Sequence, residues 1–218
     1  MMLASMCFAQ DVTKFLGIPV DGTKNAMIQK LKEKGFTYNA RLDYLEGEFN
    51  GRDVKLYLVS NNNRVYRVFI KDAIGLDETE IKVRFNRLCS QFKKNEKYIP
   101  ANFEGKYELN EDEDISYEML VHKKRYEASY YQLGEAQWDS TIIQEYFQSE
   151  LSQMYSVEEL EKMSENDIAE LRLLLLAKYI EDVVSKKSVW FMIDESFGRY
   201  YILMYYDNNY NKADGEDL

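Results

Sequence analysis

The sequence predicts an α+β fold in which helices pack on one face of an antiparallel β-sheet. Runs of alternating apolar and polar residues, typical of strands, come in groups joined by tight-turn signals. Stretches with apolar residues at helical spacing lie between these groups and do not alternate regularly with single strands, as they would in a parallel doubly wound sheet. The chain has only two prolines and no low-complexity linker. We therefore expect either one domain or two α/β halves, residues 10–100 and residues 101–218.

The first half predicts a helix, an antiparallel meander and a second helix. Thr23 is placed to cap the first helix, which stops at Gly35. The pair Asn50-Gly51 is the strongest hairpin signal in the meander. Asp77 and Glu80 have the spacing of a capping box, which predicts the start of the second helix. The expected elements are a helix over residues 24–34, strands over 36–38, 45–49, 54–59 and 65–70, and a helix that ends at residue 93.

The second half predicts further strands, a helical segment over residues 139–185 and a terminal hairpin over residues 189–206. The hairpin turns at Phe197-Gly198, and a polar tail is expected from residue 207 onward. The run Leu173-Leu174-Leu175-Leu176-Ala177 is apolar on every side, so we expect it to be buried on more than one face, by helix packing or by self-association. Strands are expected over residues 107–109, 115–121 and 126–133. The residues expected to face inward on the first helix of the helical segment are Ile142, Ile143, Tyr146, Phe147 and Leu151.

The N-terminal residues predict export. Residues 1–9 carry no charge, and Cys7-Phe8-Ala9 before Gln10 fits the small-residue pattern of a signal-peptidase site. This pattern predicts a signal-peptide remnant and a periplasmic or secreted protein. Lipid anchoring through Cys7 is less favoured because Met6 is larger than such sites accept, and an N-terminal strand is a further alternative. Cleavage would leave Cys89 as the only cysteine, expected to be a buried apolar residue.

The charge and the reactive residues argue against several classes of protein. A net charge of -10 argues against a nucleic-acid-binding protein. The chain has one histidine, His122, expected at the end of a strand, and neither a nucleophile motif nor a set of zinc ligands accompanies it. Residues 207–211 imitate the start of a calcium loop, but Lys212 replaces the required glycine. We therefore predict no catalytic residue, no cofactor and no metal, while a carboxylate pair of the kind used by glycosidases is not identifiable from sequence. No stretch after residue 9 is long and apolar enough to cross a membrane.

The aromatic content predicts a binding surface. The chain contains 18 tyrosines, and several of them lie in the terminal hairpin. Adjacent residues of a strand point to opposite faces, so one aromatic set is core and the other faces solvent, a partner or the protein's own helices. Tyrosine is favoured at interfaces because it joins a large rigid ring to a polar tip. The predicted binding residues are Trp190, Tyr200, Tyr201, Tyr205 and Tyr206.

Several segments resemble those of uncharacterised exported proteins of Gram-negative gut bacteria of the Bacteroidetes type. These segments are FLGIPVDGT (residues 15–23), NNRVY (residues 62–66), YYDN (residues 205–208) and GEDL (residues 215–218). The resemblance covers most of the chain and implies export, but it implies no particular activity. A looser likeness to β-lactamase-inhibitor-like and PepSY-like envelope modules implies a role in protein binding or envelope assembly.

The leading hypothesis is a non-catalytic protein-binding module of the cell envelope, inhibitor-like or assembly-related, that presents its tyrosine-rich hairpin to another envelope protein. One alternative is a carbohydrate-binding protein or glycan-active hydrolase that uses Trp138, Trp190 or tyrosines as stacking platforms. Another alternative is a structural homo-oligomer joined through the leucine-rich helix.

Overall fold

The protein is described by a computed structural model that covers residues 11–102, 104–134, 140–160 and 162–212. The predicted signal-peptide remnant with Cys7, the residue Trp138 and the GEDL segment lie outside the described residues. Within the described part, six α-helices accompany an eight-stranded antiparallel sheet and a two-stranded sheet. The predicted α+β fold is confirmed.

The first half follows the prediction closely. Thr23 accepts a hydrogen bond from the amide of Ala26 and begins the first helix, and Asp77 and Glu80 form the predicted capping box of the second. Two very short strands precede the first helix and pair with each other. The elements are β1 (Lys14–Phe15), β2 (Ile18–Pro19), α1 (Lys24–Glu33), β3 (Thr37–Asn39), β4 (Tyr44–Phe49), β5 (Arg52–Asn61), β6 (Arg64–Asp72) and α2 (Glu78–Lys93).

The second half contains the predicted helical segment and terminal hairpin. A π-helical turn, Ile180–Val184, continues the last helix of the helical segment. The elements are β7 (Tyr98–Pro100), α3 (Ile115–Val121), β8 (Glu127–Gln132), α4 (Ser140–Met154), α5 (Val157–Leu160), α6 (Glu165–Tyr179), β9 (Lys187–Ser196) and β10 (Arg199–Asn208).

Two of the predicted strands are wrong. Residues 115–121 form α3 because Asp114, the last residue of the acidic run, accepts a hydrogen bond from the amide of Tyr117 and caps a helix. Residues 107–109 have no paired strand. Side chains hold them instead, since the amide of Leu109 donates to Asn86 and the hydroxyl of Tyr107 donates to the carbonyl of Ser129.

The two halves contribute four strands each to the large sheet. The strand order is β3-β4-β5-β6-β10-β9-β8-β7. The halves meet where β6 pairs with β10, with Ile70 opposite Met204 and Phe69 opposite Tyr205. Every pair of neighbouring strands is antiparallel. One sheet therefore runs through both halves and positions their side chains on shared faces.

The core lies on one face of this sheet, beneath α1, α2 and α3. Phe85 of α2 contacts Phe191 of β9 with ring centroids 5.1 Å apart. Arg84 of α2 donates to both carboxylate oxygens of the buried Asp72, at 2.6 and 2.7 Å, and so ties α2 to the end of β6. The helical residues buried in this core are Met27, Ile28 and Leu31 of α1, Ile81, Phe85, Leu88, Cys89 and Phe92 of α2, and Ile115 of α3.

The helical segment of α4, α5 and α6 is inserted between β8 and β9. Tyr146 of α4 packs on Tyr179 of α6 with centroids 5.1 Å apart. Leu175 and Tyr179 are buried, but Leu173 and Leu174 are 69% and 57% exposed, so helix packing within one chain does not bury the leucine run on several faces. Ile142, expected to face inward, is also exposed. The physical reason is that α6 packs on α4 along one side only.

Candidate binding surface

The sheet face opposite the core is the candidate site. Along β10, the buried residues Tyr200, Ile202, Met204 and Tyr206 alternate with Tyr201, Leu203 and Tyr205, which are half-buried. The helices α1, α2 and α3 bury their apolar residues against the first set. We call the other face the open face. Its aromatic, aliphatic and charged side chains are Tyr44, Lys55, Tyr57, Arg67, Phe69, Lys71, Trp190, Met192, Asp194, Tyr201, Leu203 and Tyr205.

Five rings form a continuous row across the open face. The row, which we call the aromatic ladder, consists of Tyr44, Tyr57, Phe69, Tyr205 and Trp190. Successive ring centroids are 5.5, 5.3, 4.9 and 4.0 Å apart. The row forms because the strand register places Tyr57 opposite Phe69, Phe69 opposite Tyr205 and Tyr205 opposite Trp190. Each such cross-strand pair contributes about 0.5–1.5 kcal/mol beyond the burial of its area.

Stacking decides which part of each ring a ligand can reach. The planes of Phe69 and Tyr205 differ by 14° and those of Tyr205 and Trp190 by 13°. Rings inside the row cover one another's faces and leave their edges and polar tips outward. Trp190 is the last ring, and Ser129 of β8 lies opposite it. Its second face therefore has no ring from the neighbouring strand against it.

A buried ion pair orients the end of the ladder. Arg67 donates to both carboxylate oxygens of Asp207 at 2.6 and 2.7 Å, and the indole Nε1 of Trp190 donates to the same carboxylate at 3.0 Å. The Asp207 side chain is only 5% exposed. These hydrogen bonds raise the pKa of the Arg67 guanidinium, although its burial acts in the opposite direction. The carboxylate thus holds the indole and the guanidinium in one arrangement.

Further charges surround the row of rings. Lys71 lies 3.5 Å from a carboxylate oxygen of Asp194 and 4.5 Å from the ring centroid of Tyr201. Lys55 lies 5.2 Å from the ring centroid of Tyr44. Cations next to aromatic faces are attracted by the ring quadrupole. The open face therefore combines ring edges, ammonium groups and a carboxylate.

The five binding residues predicted from the sequence are divided between the two faces. Trp190, Tyr201 and Tyr205 lie on the open face. Tyr200 and Tyr206 lie on the core face, where the hydroxyl of Tyr200 is 2.5 Å from Ser116 Oγ and the ring of Tyr206 packs edge-on against Phe15. Their burial leaves these two side chains no surface to offer a partner.

Three ladder residues were not identified from the sequence as part of a site. Tyr44, Tyr57 and Phe69 each occupy an outward position of a meander strand. The hairpin signals around residues 50 and 61 to 63 could have indicated that Tyr57 faces Phe69. The pairing of Phe69 with Tyr205 joins strands distant in sequence, and no local signal indicates it.

The reactive residues lie elsewhere. His122 is an exposed residue at the end of α3, not of a strand, and hydrogen-bonds Glu118 at 2.9 Å. Cys89 is a buried residue on the core-facing side of α2, and burial raises the pKa of its thiol to about 12. The expected polar tail begins later than predicted, since Asp207 and Asn208 are buried residues of β10. Among the described residues, no three or more His, Cys, Asp or Glu side chains are grouped so that they could hold a metal ion.

Comparison with known proteins finds no match, since no family model, no curated protein and no solved structure matches the chain. The resemblance to exported proteins of gut bacteria therefore stays a prediction. Among the described helices, none combines the length and the apolar character needed to span a membrane.

Proposed function

We propose that the protein is a non-catalytic protein-binding module of the cell envelope, inhibitor-like or assembly-related, and that its partner contacts the open face. The observation that supports this proposal is the aromatic ladder, a row of five rings on the sheet face that α1, α2 and α3 do not cover. Tyr44 at its end is buried, and the four half-buried rings that offer surface to a partner are Tyr57, Phe69, Tyr205 and Trp190. Rows of stacked rings are rigid, so these side chains lose little conformational entropy when a partner docks on them.

The composition of the open face supports a protein partner. Tyr, Trp and Arg are the residues most enriched among those that dominate binding energy at protein interfaces. Tyr205, Trp190 and Arg67 lie side by side here, with the Arg67 guanidinium 5.0 Å from the ring centroid of Tyr205. Lys71 and Asp194 offer both signs of charge beside them. Complementary charges on a partner would set its orientation.

The placement of the reactive residues supports a role without catalysis. A thiol with a raised pKa is a poor nucleophile, because the reactive form is the thiolate. His122 is exposed, and its ring nitrogen lies 2.9 Å from a carboxylate oxygen of Glu118. Export itself stays a prediction from residues 1–9, and it is tested by sequencing the N-terminus of the native protein, which we expect to be Gln10.

The proposal is tested by affinity capture from envelope extracts with three baits. Wild type is compared with Leu203→Lys, which adds a charge at the centre of the open face, and with Leu42→Lys, a matched substitution at an exposed turn residue outside it. A partner retained by wild type and Leu42→Lys but lost by Leu203→Lys is the expected result. Circular dichroism establishes that all three baits are folded. A partner that folded Leu203→Lys retains equally would contradict the assignment of the binding surface.

A second candidate function, a homo-oligomer joined through α6, is favoured by the exposure of Leu173 and Leu174. Two adjacent exposed leucines are suited to self-association between copies. Light scattering at several concentrations tests it. If α6 is the interface, the average mass rises with concentration for wild type and stays that of one chain for the Leu173→Gln, Leu174→Gln variant.

A further inference from the structure

A groove of roughly 530 Å³ lies on the open face beside Trp190, between β8, β9 and the end of the helical insertion. We call it the Trp190 groove. Its size falls within the range of small-ligand sites, about 300–1,000 Å³. Its lining residues include Ala101, Ser129, Tyr131, Ser188, Trp190 and Asn209. We propose that the Trp190 groove binds a saccharide ring of a neutral glycan, a site that goes beyond the protein-binding function proposed above.

The groove exists because the aromatic ladder ends at Trp190 of β9, and no ring lies opposite Trp190 on the next strand, β8. Ser129 occupies the position opposite Trp190 where a further ring would continue the row. Ala101 follows beyond Ser129, with its amide donating to the Ser129 carbonyl at 2.9 Å. Both side chains are small, so they form a low shelf beside the face of the indole that is turned away from Tyr205. A ligand ring seated on this shelf would stack on Trp190 and become the sixth ring of the row.

The indole is fixed in place before any ligand arrives. Its other face stacks on Tyr205 at 4.0 Å between centroids, and its Nε1 donates to Asp207 at 3.0 Å. A platform held by packing and a hydrogen bond keeps its geometry without a cost in ordering on binding. The buried carboxylate of Asp207 therefore acts as a positioning group for the groove.

The rim offers hydrogen-bonding groups rather than apolar walls. The side-chain hydroxyls of Ser129 and Tyr131 make no hydrogen bond to another residue of the described chain. Asn209 donates its amide to the Ser185 carbonyl at 3.1 Å and to Ser188 Oγ at 3.4 Å, which leaves its side-chain oxygen as an acceptor. Such groups surround a single flat apolar platform.

This arrangement matches a sugar better than an aromatic side chain of a protein. A pyranose ring has an apolar face of C–H groups and hydroxyls around its edge, so it can stack on Trp190 and bond to Ser129 and Tyr131 together. An aromatic side chain would bury those hydroxyls without partners, which is unfavourable. The charged residues at the rim, Arg125 and Glu127, are paired with each other at 2.9 Å, so the groove favours a neutral ligand.

The site is tested by saturation-transfer NMR with maltose, cellobiose, lactose and N,N′-diacetylchitobiose as probes. For an open groove of this kind we expect a dissociation constant of about 1 mM for at least one of them. Ser129→Tyr places a ring in the groove and is expected to weaken binding at least about 10-fold. The matched control is Ser60→Tyr, at an exposed serine of β5 that does not line the groove and lies three strands from Trp190 in the sheet order, and this variant should bind as wild type does.

A second variant keeps the test decisive if Ser129→Tyr does not fold. Tyr131→Phe removes one rim hydroxyl and leaves the ring, and the expected loss is about 3-fold to 10-fold. Absence of binding by wild type to all four sugars at about 10 mM would overturn the proposal, as would binding that both variants leave unchanged. Binding of N-acetyltyrosine amide in place of the sugars would also overturn it and assign the groove to a protein partner.

This result is separable from the test of protein binding. Leu203 does not line the groove, so Leu203→Lys is expected to retain sugar binding even where it loses a protein partner.

Discussion

Replacing Arg67 with methionine removes the guanidinium that covers Asp207 and keeps a flexible side chain that still packs on the neighbouring rings. In the wild type the carboxylate of Asp207 accepts two hydrogen bonds from Arg67 and one from Trp190. After the substitution the indole is the one hydrogen-bond partner that the described residues still offer to this carboxylate. Since Asp207 is 5% exposed, its charge would be largely cut off from water.

The size of the effect follows from this burial. Removing one partner of a buried ion pair costs about 3–5 kcal/mol because the other charge is left uncompensated. Arg67 is 25% exposed, so water can replace part of what it supplies. We therefore expect Arg67→Met to lower the free energy of unfolding by about 2–4 kcal/mol, which for a protein of this size lowers Tm by about 5–15 °C. Asp207→Asn in the same background removes the stranded charge and should recover about half of the loss.

Urea unfolding followed by tryptophan fluorescence measures both variants, and near-ultraviolet circular dichroism reports the stacking of Trp190 on Tyr205. The reasoning is refuted if Arg67→Met unfolds within about 0.5 kcal/mol of wild type, the range of ordinary surface substitutions. It is also refuted if Asp207→Asn makes the single variant less stable, since the loss would then not come from an unpaired charge.

Three further predictions concern single positions. Cys89, with a thiol pKa raised to about 12 by burial, is expected to react with a disulfide reagent at pH 8 at least about 100-fold more slowly in the folded protein than in urea; a Cys7→Ser variant isolates the measurement, and equal rates would contradict the burial. Phe197 is fully exposed and has a φ of 54°, so Phe197→Asn should raise the free energy of unfolding by about 0.5–1 kcal/mol, and a loss of stability would show that the ring makes a contact. Leu175→Ala should cost about 2–4 kcal/mol because Leu175 is buried, whereas Leu174→Ala should change stability by less than about 0.5 kcal/mol; equal effects in urea unfolding would contradict the one-sided packing of α6.

The candidate surface was predictable in part. Alternation along the hairpin indicates that one set of aromatic residues is core and the other is not, and this is correct. The sequence does not indicate which set is which, because Tyr200 and Tyr201 are equally good residues for either face. The structure assigns them because α2 packs over β10 on one side. The groove beside Trp190 had no sequence signal, since Ala101, Ser129 of β8 and Trp190 of β9 come from three segments that are distant in sequence.

The sequence by itself determines the local elements of this protein. These elements depend on groups within a few residues of one another, so the sequence pattern predicts them. Examples are the Thr23 cap, the capping box of Asp77 and Glu80, and the turn at residues 50 and 51. The prediction was wrong at residues 115–121, whose apolar pattern also suits a strand. These residues form α3 because Asp114 caps a helix there.

Only the tertiary structure decides the pairing of β6 with β10, and that pairing creates both the continuous sheet and the aromatic ladder. It places Phe69 against Tyr205 and Arg67 against Asp207 across 136 and 140 residues of chain. The free energy that selects this register comes from burying a whole face of eight strands at once. A one-residue shift of β10 against β6 would move the core side chains of the shifted strand to the open face, and no local segment carries that information.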